Sequence, residues 1–537
     1  MTKKAVMIGL DGAAWHLLDP LFEQGVMPRL EKLRAKGASG TLSSTVPTYT
    51  PPAWTSAATG VNPGRHGVYG FHSSHAQHDR MQLVHSGKVR SATIWEMANA
   101  QGASIGVYNL PLTYPPQRLD NGWMVSGMMT PSYGERVKGF AYPAALEQEI
   151  LSWAPGYEVD IKTHWDDDYK NDALCRRALR SLKQRRTVLE ALLSERQTDL
   201  VFSVIEAPDR LQHAYYKYMD PRDEMFSSEK AQSLRPAIAE CFQLMDEIVG
   251  LLEDYAGTDG GVVVCSDHGF TGWDCSVHTN ALLEQWGYLK FKATAKLMQT
   301  SAARALVPVA KRVLPAKSAR AAKSKTFSAI DWANTRAFAS PIPQQGVFVN
   351  VVGREPLGIV PEKDVAGIVK EIAQRFAELR GPDGKPATDR VHLAEDVFHG
   401  DSLEGAPDLL PVLRDHRFEL DDEIFHKEPF TDMRRLPRGV HHMHGIGIYA
   451  GAGVNAASGV DASVLDVTPT LLYLAGMKVP DDLDGSVVKQ AFDPHYLEAH
   501  PIESASPLES GKKEEASPYS AEEEAEIEEA LRGLGYL

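Results

Sequence analysis

Short apolar runs that end in polar or glycine residues recur along the chain. They include KAVMIGLDG, SIGVYNLP, DLVFSVIEAPD, GGVVVCSDHGF and GIGIYAGAG. Their hydrophobicity is continuous rather than alternating, which is typical of strands buried on both faces of a parallel sheet. Helical patterns lie between them, such as MPRLEKLRAKG, which stops at Gly37, and LRPAIAECFQLMDEIVGLLEDYAG, which stops at Gly257. The pattern predicts an α/β fold with helices flanking a largely parallel sheet.

Two stretches interrupt this pattern within a domain predicted over residues 1–497. Residues of about 134–190 and 291–330 are charged and helical in pattern, so we expect them to be helical cap insertions. The second stretch carries nine Lys or Arg residues and no Asp or Glu. It is interpreted as a solvated basic face, or as a mobile lid that attracts an anionic substrate or an acidic membrane surface.

The chain after residue 497 has a different composition. Residues 498–520 are rich in Ser, Pro, Glu and Lys, which is typical of a linker. Residues 521–537 are predicted to form a C-terminal helix with Ile527, Leu531 and Leu534 on one face. That face would dock either on the body of the protein or, in a homodimer, on a second subunit.

Composition narrows the class of protein. The chain has 537 residues, 43% of them hydrophobic and 24% charged, which matches a globular protein. A net charge of −15 argues against a nucleic-acid binding surface. Four cysteines without CxxC spacing indicate reduced thiols and a cytoplasmic location. No apolar run approaches the roughly 18 to 20 residues of a transmembrane segment, so none is expected.

Acidic residues and histidines follow several predicted strands. Because the carboxyl ends of parallel strands meet at one edge of a sheet, these side chains should converge there. Asp and His together suit zinc or another first-row divalent ion. His441, His442 and His278 are weaker candidates, and the stronger set is Asp11, Asp209 and His213 at i and i+4 spacing, Asp267, His268 and His444.

The stretch TVPTYTPPAW places Thr50 directly before Pro51 and Pro52. Thr50 is either the N-cap of a helix or a hydroxyl at a helix start where phosphate is held. If metal ligands converge on it, Thr50 becomes a nucleophile. Thr48 and Thr55 are competing hydroxyls, and Thr50 is preferred because it lies at the predicted helix start.

Six motifs in order carry a resemblance to a known family. Asp11 after the first strand, PTYTPPAW, TGVNPGRHG, DRLQH, SDHGF and MHGIGIYAG resemble the alkaline phosphatase superfamily, specifically the type I phosphodiesterase/nucleotide pyrophosphatase family. The resemblance extends from residue 5 to about 490. It implies a doubly wound, largely parallel sheet with two divalent metal ions at its carboxyl edge.

The resemblance also implies a role for each candidate residue. One metal would be held by Asp11, Thr50, Asp267 and His268, and the other by Asp209, His213 and His444. Zinc is expected first, and manganese or iron accept the same ligands. Thr50 would attack phosphorus to give a phosphothreonine, and a second displacement would hydrolyse it, with retention at phosphorus.

The sequence departs from the family pattern at one position. Nucleotide pyrophosphatases of the family typically have Asn three residues after the nucleophile, where this chain has Ala53. The missing amide donor argues against nucleotide pyrophosphatase activity in particular. From the resemblance as a whole, the expected activity is metal-dependent hydrolysis of a small phosphorylated substrate, most directly a phosphodiester. A phosphomonoesterase is the alternative and would need a cation, from Arg65, Arg210 or the basic 291–330 stretch. A non-catalytic, metal-stabilised protein that binds a phosphate ligand is a further alternative.

Overall fold

The computed structural model describes residues 3–73, 82–131, 138–293, 329–340, 346–423, 426–509 and 516–535. They form two compact units. The first comprises Met1–Val68, His85–Gly272 and Pro437–Leu537, and the second comprises Tyr69–Val84 and Trp273–Leu436. Most of the predicted basic insertion, residues 294–328, lies outside the described residues.

The strands alternate with helices along the chain. The strands are β1 (Ala5–Leu10), β2 (Ala38–Ser43), β3 (His72–Ser73), β4 (Gln82–Leu83), β5 (Ile105–Leu110), β6 (Gly122–Ser126), β7 (Ala141–Tyr142), β8 (Leu200–Ile205), β9 (Gly261–Cys265), β10 (Gly269–Gly272), β11 (Cys275–His278), β12 (Ala337–Ala339), β13 (Val347–Val349), β14 (Thr388–Leu393), β15 (Leu409–Leu413), β16 (Phe418–Asp421), β17 (Phe430–Asp432), β18 (Gly439–His442), β19 (His444–Ala450), β20 (Ala457–Ser458), β21 (Ala462–Ser463), β22 (Val479–Pro480) and β23 (Ser504–Ala505).

The helices are distributed over both units. They are α1 (Trp15–Glu23), α2 (Pro28–Lys36), α3 (Thr50–Thr59), α4 (Pro63–His66), α5 (Ile94–Ala100), α6 (Ala145–Trp153), α7 (Ala173–Glu195), α8 (Ala207–Met219), α9 (Glu229–Ala256), α10 (Thr279–Gln285), α11 (Glu362–Ala377), α12 (Ala394–Val397), α13 (Val467–Leu474), α14 (Pro494–Ala499) and α15 (Ala521–Leu534).

A ten-stranded sheet forms the centre of the first unit. Its order is β20-β2-β19-β9-β1-β8-β5-β6-β7, with β21 also paired to β2. The five strands β9, β1, β8, β5 and β6 are mutually parallel, whereas β19 runs antiparallel to both of its neighbours. The predicted strands therefore lie side by side, and their carboxyl ends share one edge.

Helices cover both faces of this sheet. Side chains alternate along β1, so Val6 and Ile8 pack in one apolar core with α2, α7 and α9. Ala5 and Met7 pack in a second core with α3, α5 and α13. Two cores on opposite faces explain the continuous apolar runs, and they confirm the predicted α/β fold with a largely parallel sheet flanked by helices.

The charged stretch after residue 134 forms part of this layered structure. Helix α7 is amphipathic, and its buried residues, including Leu182, Leu189 and Leu192, belong to the same core as α9. Residues 138–190 lie within the first unit, and their assignment as a cap insertion stays a prediction.

The second unit has its own core. An antiparallel sheet of order β12-β13-β15-β14 packs against α11. A three-stranded sheet of order β16-β11-β17 contributes side chains to the same core. The large insertion between β10 and β18 is therefore Trp273–Leu436. Within the described part of the chain, no helix combines the length and apolarity that crossing a bilayer requires.

Candidate active site

Three loops at the carboxyl edge of the central sheet meet around one buried centre. Asp11 follows β1, Asp267 and His268 follow β9, and Thr50 begins α3. All four residues are 1% exposed or less. His268 Nε2 lies 3.3 Å from Asp267 Oδ2, 3.8 Å from Asp11 Oδ1 and 3.3 Å from Thr50 Oγ1. We call these four residues the Thr50 cluster.

A second group lies beside the first. Asp209 and His213 project from one face of α8, as their i and i+4 spacing predicts, and His441 reaches them from β18. Asp209 Oδ1 is 3.3 Å from His213 Nε2 and 3.4 Å from His441 Nε2. We call these three residues the Asp209 cluster. The rings of His268 and His441 stack with centroids 3.6 Å apart, so the two clusters are adjacent.

The three histidines present the same nitrogen to these clusters. Nδ1 of His213, His268 and His441 lies 3.2, 3.1 and 2.9 Å from the carbonyl oxygens of Gly439, Gly269 and Thr48. A carbonyl oxygen only accepts, so each Nδ1 carries the proton and each neutral ring directs the lone pair of Nε2 inward. Histidines that ligate metal ions are held in this way.

This donor set fits divalent cations. Nε2 of His213 and Nε2 of His441 face each other at 3.1 Å, and two lone pairs at that distance repel unless a cation lies between them. Asp11 Oδ1 and Asp267 Oδ2 are buried without hydrogen-bond partners. The ligand atoms of Asp11, Asp267 and His268, and those of Asp209, His268 and His441, each lie within 4.8 Å of one another. Carboxylates with imidazoles are the ligands of zinc and related ions.

The electrostatics of the carboxylates point the same way. Burial, together with Asp267 and Asp209, holds the pKa of Asp11 well above its ordinary value. Burial also raises the pKa of Asp267 well above its usual range. For Asp209 burial acts in the same direction, but the groups that pair with this carboxylate, Arg210 among them, outweigh burial and hold its pKa well below the ordinary value. A divalent cation would favour the ionised form of all three.

Neighbouring groups fix the orientation of the two carboxylates in the Thr50 cluster. Trp54 Nε1 donates to Asp11 Oδ2 at 3.0 Å, and the Gly12 amide donates to Asp267 Oδ1 at 3.1 Å. The indole of Trp54 lies so close to β1 that a Cβ at Gly9 would come within 2.5 Å of the ring. The oxygens left over are those that face His268, which leaves them available to a cation.

The structure places one predicted ligand apart from the others. His444 is exposed at the start of β19 and lies near the ring of His442, at a centroid distance of 5.2 Å. It is not brought to the Asp209 cluster, and His441, ranked as a weaker candidate from sequence, lies there instead. Side chains alternate along the strand, so His441 points to one face and His442 to the other. Which of the two histidines faces the Asp209 cluster depends on how β18 pairs with β10, where His441 lies opposite Phe270. The sequence does not reveal this pairing.

Thr50 is the first residue of α3, and its hydroxyl does not cap the helix. The N-cap is Tyr49, without a side-chain capping bond. Thr55 Oγ1 donates to the Pro51 carbonyl at 2.7 Å, which leaves Thr50 Oγ1 as the hydroxyl beside His268. Pro51 and Pro52 carry no N–H, and the Ala53 amide donates to Tyr49. The helix start therefore offers few amides to an anion, and most of the charge stabilisation must come from elsewhere.

Two of the predicted anion-binding cations are engaged by carboxylates. Arg65 Nη2 lies 2.8 Å from Asp482 Oδ2, and its Nη1 lies 3.3 Å from Asp484 Oδ1. Arg210 is fully buried and forms ion pairs with Asp209 Oδ2 and Asp160 Oδ1. The third candidate, the basic stretch, lies mostly outside the described residues.

Comparison with known proteins covers most of the chain. Residues 5–418 match the model of the family described as type I phosphodiesterase/nucleotide pyrophosphatase. No curated protein matches the chain.

Solved structures share the fold at low sequence identity. Phosphonoacetate hydrolase from Sinorhizobium meliloti 1021, in complex with phosphonoformate, has a TM-score of 0.53 and 16% identity over 88% of this chain and 96% of its own. Murine ectonucleotide pyrophosphatase/phosphodiesterase 5, an inactive threonine-to-alanine variant in complex with AMP, has a TM-score of 0.50 and 11% identity over 91% and 100%. A mutant of alkaline phosphatase PafA has a TM-score of 0.51 and 11% identity over 92% and 99%.

Proposed function

The chain belongs to the type I phosphodiesterase/nucleotide pyrophosphatase family, and from that premise we propose that it is a metal-dependent phosphodiesterase with Thr50 as its nucleophile. The observation that carries the proposal is the position of Thr50 Oγ1 at 3.3 Å from His268 Nε2, in a buried centre where Asp11 Oδ1 and Asp267 Oδ2 have no hydrogen-bond partner. A hydroxyl among carboxylates and imidazoles that are short of a cation is the arrangement of a metal-activated nucleophile.

Two divalent cations, most simply zinc, would be held by the Thr50 cluster and by the Asp209 cluster, and when bound they would activate the hydroxyl and stabilise charge on the attacking and leaving oxygens. The chain itself supplies the geometry. Trp54 and Gly12 orient Asp11 and Asp267, and the backbone carbonyls bonded to the three histidines keep each Nε2 directed inward.

The reaction follows from the placement of Thr50. Its Oγ1 attacks phosphorus in line with the departing alcohol, the bond from phosphorus to that alcohol breaks, and the Oγ1 proton ends on the alcohol that leaves, so phosphorus with its remaining ester group becomes bonded to Thr50. Water then displaces Thr50 from phosphorus and returns a proton to Oγ1. Each step inverts the configuration at phosphorus, so the complete reaction retains it.

Charge favours a diester over a monoester. A phosphodiester carries one negative charge, whereas a phosphate monoester carries about −1.5 to −2 at neutral pH. Arg65 and Arg210 could have met that extra charge, but each is already paired with two carboxylates. One structural neighbour, an ectonucleotide pyrophosphatase/phosphodiesterase, is inactive as a threonine-to-alanine variant and is in complex with AMP, which favours a threonine nucleophile and a small phosphorylated substrate for this chain too.

The proposal is tested by comparing the hydrolysis of bis-p-nitrophenyl phosphate with that of p-nitrophenyl phosphate. The protein is stripped of metal, then assayed after addition of zinc or manganese, beside Thr50→Ala and the neighbouring Thr55→Ala as a matched control. We expect metal-restored activity that prefers the diester, is lost in Thr50→Ala and is retained in Thr55→Ala. A preference for the monoester would move the function to a phosphatase. Bound metal without turnover of either ester would favour the binding-protein alternative.

A further inference from the structure

Exposed large hydrophobic side chains are concentrated in one loop of the second unit. Of the five such residues in the described part of the chain, three are Val352, Leu357 and Ile359, which are 57%, 53% and 37% exposed. We call residues 352–359 the apolar loop. Single hydrophobic residues scattered over a protein surface are normal, whereas a group of them rimmed by polar residues marks an interaction surface.

The apolar loop is held in place by its own contacts. Val351 and Val360 flank it and are buried in the core of the second unit. The Val352 amide donates to the Val360 carbonyl at 2.9 Å, so the two ends of the loop are tied together. Within the loop, Arg354 Nη2 pairs with Asp408 Oδ2 at 2.6 Å. The exposed side chains are therefore presented by an anchored turn of the folded unit.

Asn350 joins the apolar loop to a neighbouring segment of the same unit. Its side chain is completely buried, and Nδ2 donates to the Leu357 carbonyl at 3.1 Å and to the Thr335 carbonyl at 2.9 Å. The Asn350 amide donates to the Arg336 carbonyl at 2.8 Å. Arg336 is exposed, with its guanidinium over the Tyr288 ring at 4.8 Å from the centroid. A cation thus lies on the segment that adjoins the apolar loop.

The basic stretch begins and ends at this segment. The Lys290 amide donates to Thr335 Oγ1 at 3.1 Å, and the Lys292 amide donates to the Ala329 carbonyl at 2.8 Å. Both lysines are exposed. Residues 294–328, which lie outside the described residues, carry eight Lys or Arg and no Asp or Glu, interspersed with Leu and Val. That composition is typical of a segment at an anionic membrane surface.

We propose that the apolar loop is a docking surface for a membrane that contains anionic lipids. Val352, Leu357 and Ile359 enter the boundary between headgroups and acyl chains, and the cations of the adjoining segment contact lipid phosphates. A second copy of the chain is a less favourable occupant, because a two-fold contact through this loop brings the same cations face to face. The inference is independent of the proposed hydrolase activity.

The test is cosedimentation of the full-length protein with vesicles of phosphatidylcholine alone, or of phosphatidylcholine with about one third phosphatidylglycerol. The unmodified protein is compared with a double variant, Leu357→Ser combined with Ile359→Ser, and with Leu403→Ser. Leu403 is the matched control, because it is 45% exposed in the same unit and lies outside the apolar loop. Thermal unfolding of each protein shows whether the fold is retained.

We expect the unmodified protein to bind the anionic vesicles about tenfold or more tightly than the neutral ones, with a preference that weakens as salt is raised. The double variant should lose about tenfold or more in affinity for the anionic vesicles, because serine gains little from leaving water. Leu403→Ser should stay within about twofold of the unmodified protein.

Two results would overturn the inference: no binding to vesicles of either composition, or equal binding by the unmodified protein and the double variant. A dimer of the unmodified protein that dissociates in the double variant, measured by light scattering, would assign the apolar loop to a second copy instead. Vesicle binding is measured without substrate or added metal, so its outcome leaves the proposed function untouched.

Discussion

His441 shows how one residue decides the composition of the site. The motif HHMHG offers three histidines within four positions, and alternation along β18 directs only His441 into the Asp209 cluster. Its Nδ1 is held by the Thr48 carbonyl at 2.9 Å, two residues before the proposed nucleophile. His441 therefore links a candidate metal ligand to the segment that carries Thr50.

We expect His441→Ala to lose about one of two bound divalent ions per chain, because it removes an imidazole from a three-residue ligand set. His444→Ala is the matched control, since His444 is exposed and lies outside the cluster. Metal content is measured by elemental analysis after dialysis. Loss of metal in His444→Ala but not in His441→Ala would contradict the assignment.

Arg210 positions Asp209 and does not itself contact the substrate in the proposed mechanism. It is fully buried between Asp209 Oδ2 and Asp160, so it fixes the carboxylate whose Oδ1 faces the two histidines. Arg210→Lys keeps the charge but loses the planar fork of donors. We expect metal affinity at one site to fall about 10- to 100-fold, measured by competition with a chelator.

The control for Arg210 is Arg176→Lys on the exposed face of α7, where the side chain pairs with Asp172, the residue just before that helix. We expect no change in metal affinity there. Equal affinities in the unmodified protein and in Arg210→Lys would remove Arg210 from the metal site.

The sequence was enough to predict that five residues lie near one another, but not which groups contact them. These residues are Asp11, Asp209, His213, Asp267 and His268. A carboxylate directly after a buried strand, or a pair at i and i+4, is fixed in space by local geometry alone. The inward position of His441, and the groups that bind the second oxygens of Asp11 and Asp267, depend on contacts between segments that are distant in the chain. Local patterns carry no information about that pairing.

At the scale of elements, helices α3 and α4 and the turn between them form a rigid support for Thr50. The GRHG sequence ends α4, and its histidine, His66, is completely buried. Its Nδ1 accepts from the Val68 amide at 3.1 Å, so Nε2 carries the proton and lies 2.9 Å from Ser56 Oγ on α3. His66 is thus a structural histidine that joins the two helices.

The burial of His66 predicts acid sensitivity. Burial lowers its pKa from 6.5 to about 3, so the fold holds the neutral ring. The unfolded chain takes up a proton below pH 6.5, and the folded chain does so only near pH 3. Stability from this group is therefore complete above pH 6.5 and is lost as pH falls toward 3, by up to about 1.4 kcal/mol per pH unit.

We expect His66→Gln, assayed without metal, to show a shallower fall of the unfolding free energy between pH 6.5 and 4 than the unmodified protein. Denaturant unfolding at a series of pH values measures it. Exposed His495 is the comparison, and the fall should be steeper in His495→Gln than in His66→Gln. Parallel pH profiles for His66→Gln and the unmodified protein would show that His66 is not the sensitive group.

For the whole molecule, continuous apolar runs were enough to predict the layered α/β fold, because only strands covered on both faces need them. The division into units was not predicted from the sequence. Helix α7 is charged and packs in the core of the first unit, and Trp273–Leu436 forms most of the second unit from ordinary strand and helix patterns. Composition alone does not distinguish an inserted unit from the surface of its host.

If Thr50 attacks phosphorus before water does, the stereochemical course at phosphorus shows it most directly. A phosphorothioate diester of known configuration is hydrolysed in oxygen-18 water with zinc or manganese, and the configuration of the product is determined. Two in-line displacements through Thr50 predict overall retention. Inversion would show a single displacement by water, and it would contradict the assignment of Thr50 as the nucleophile.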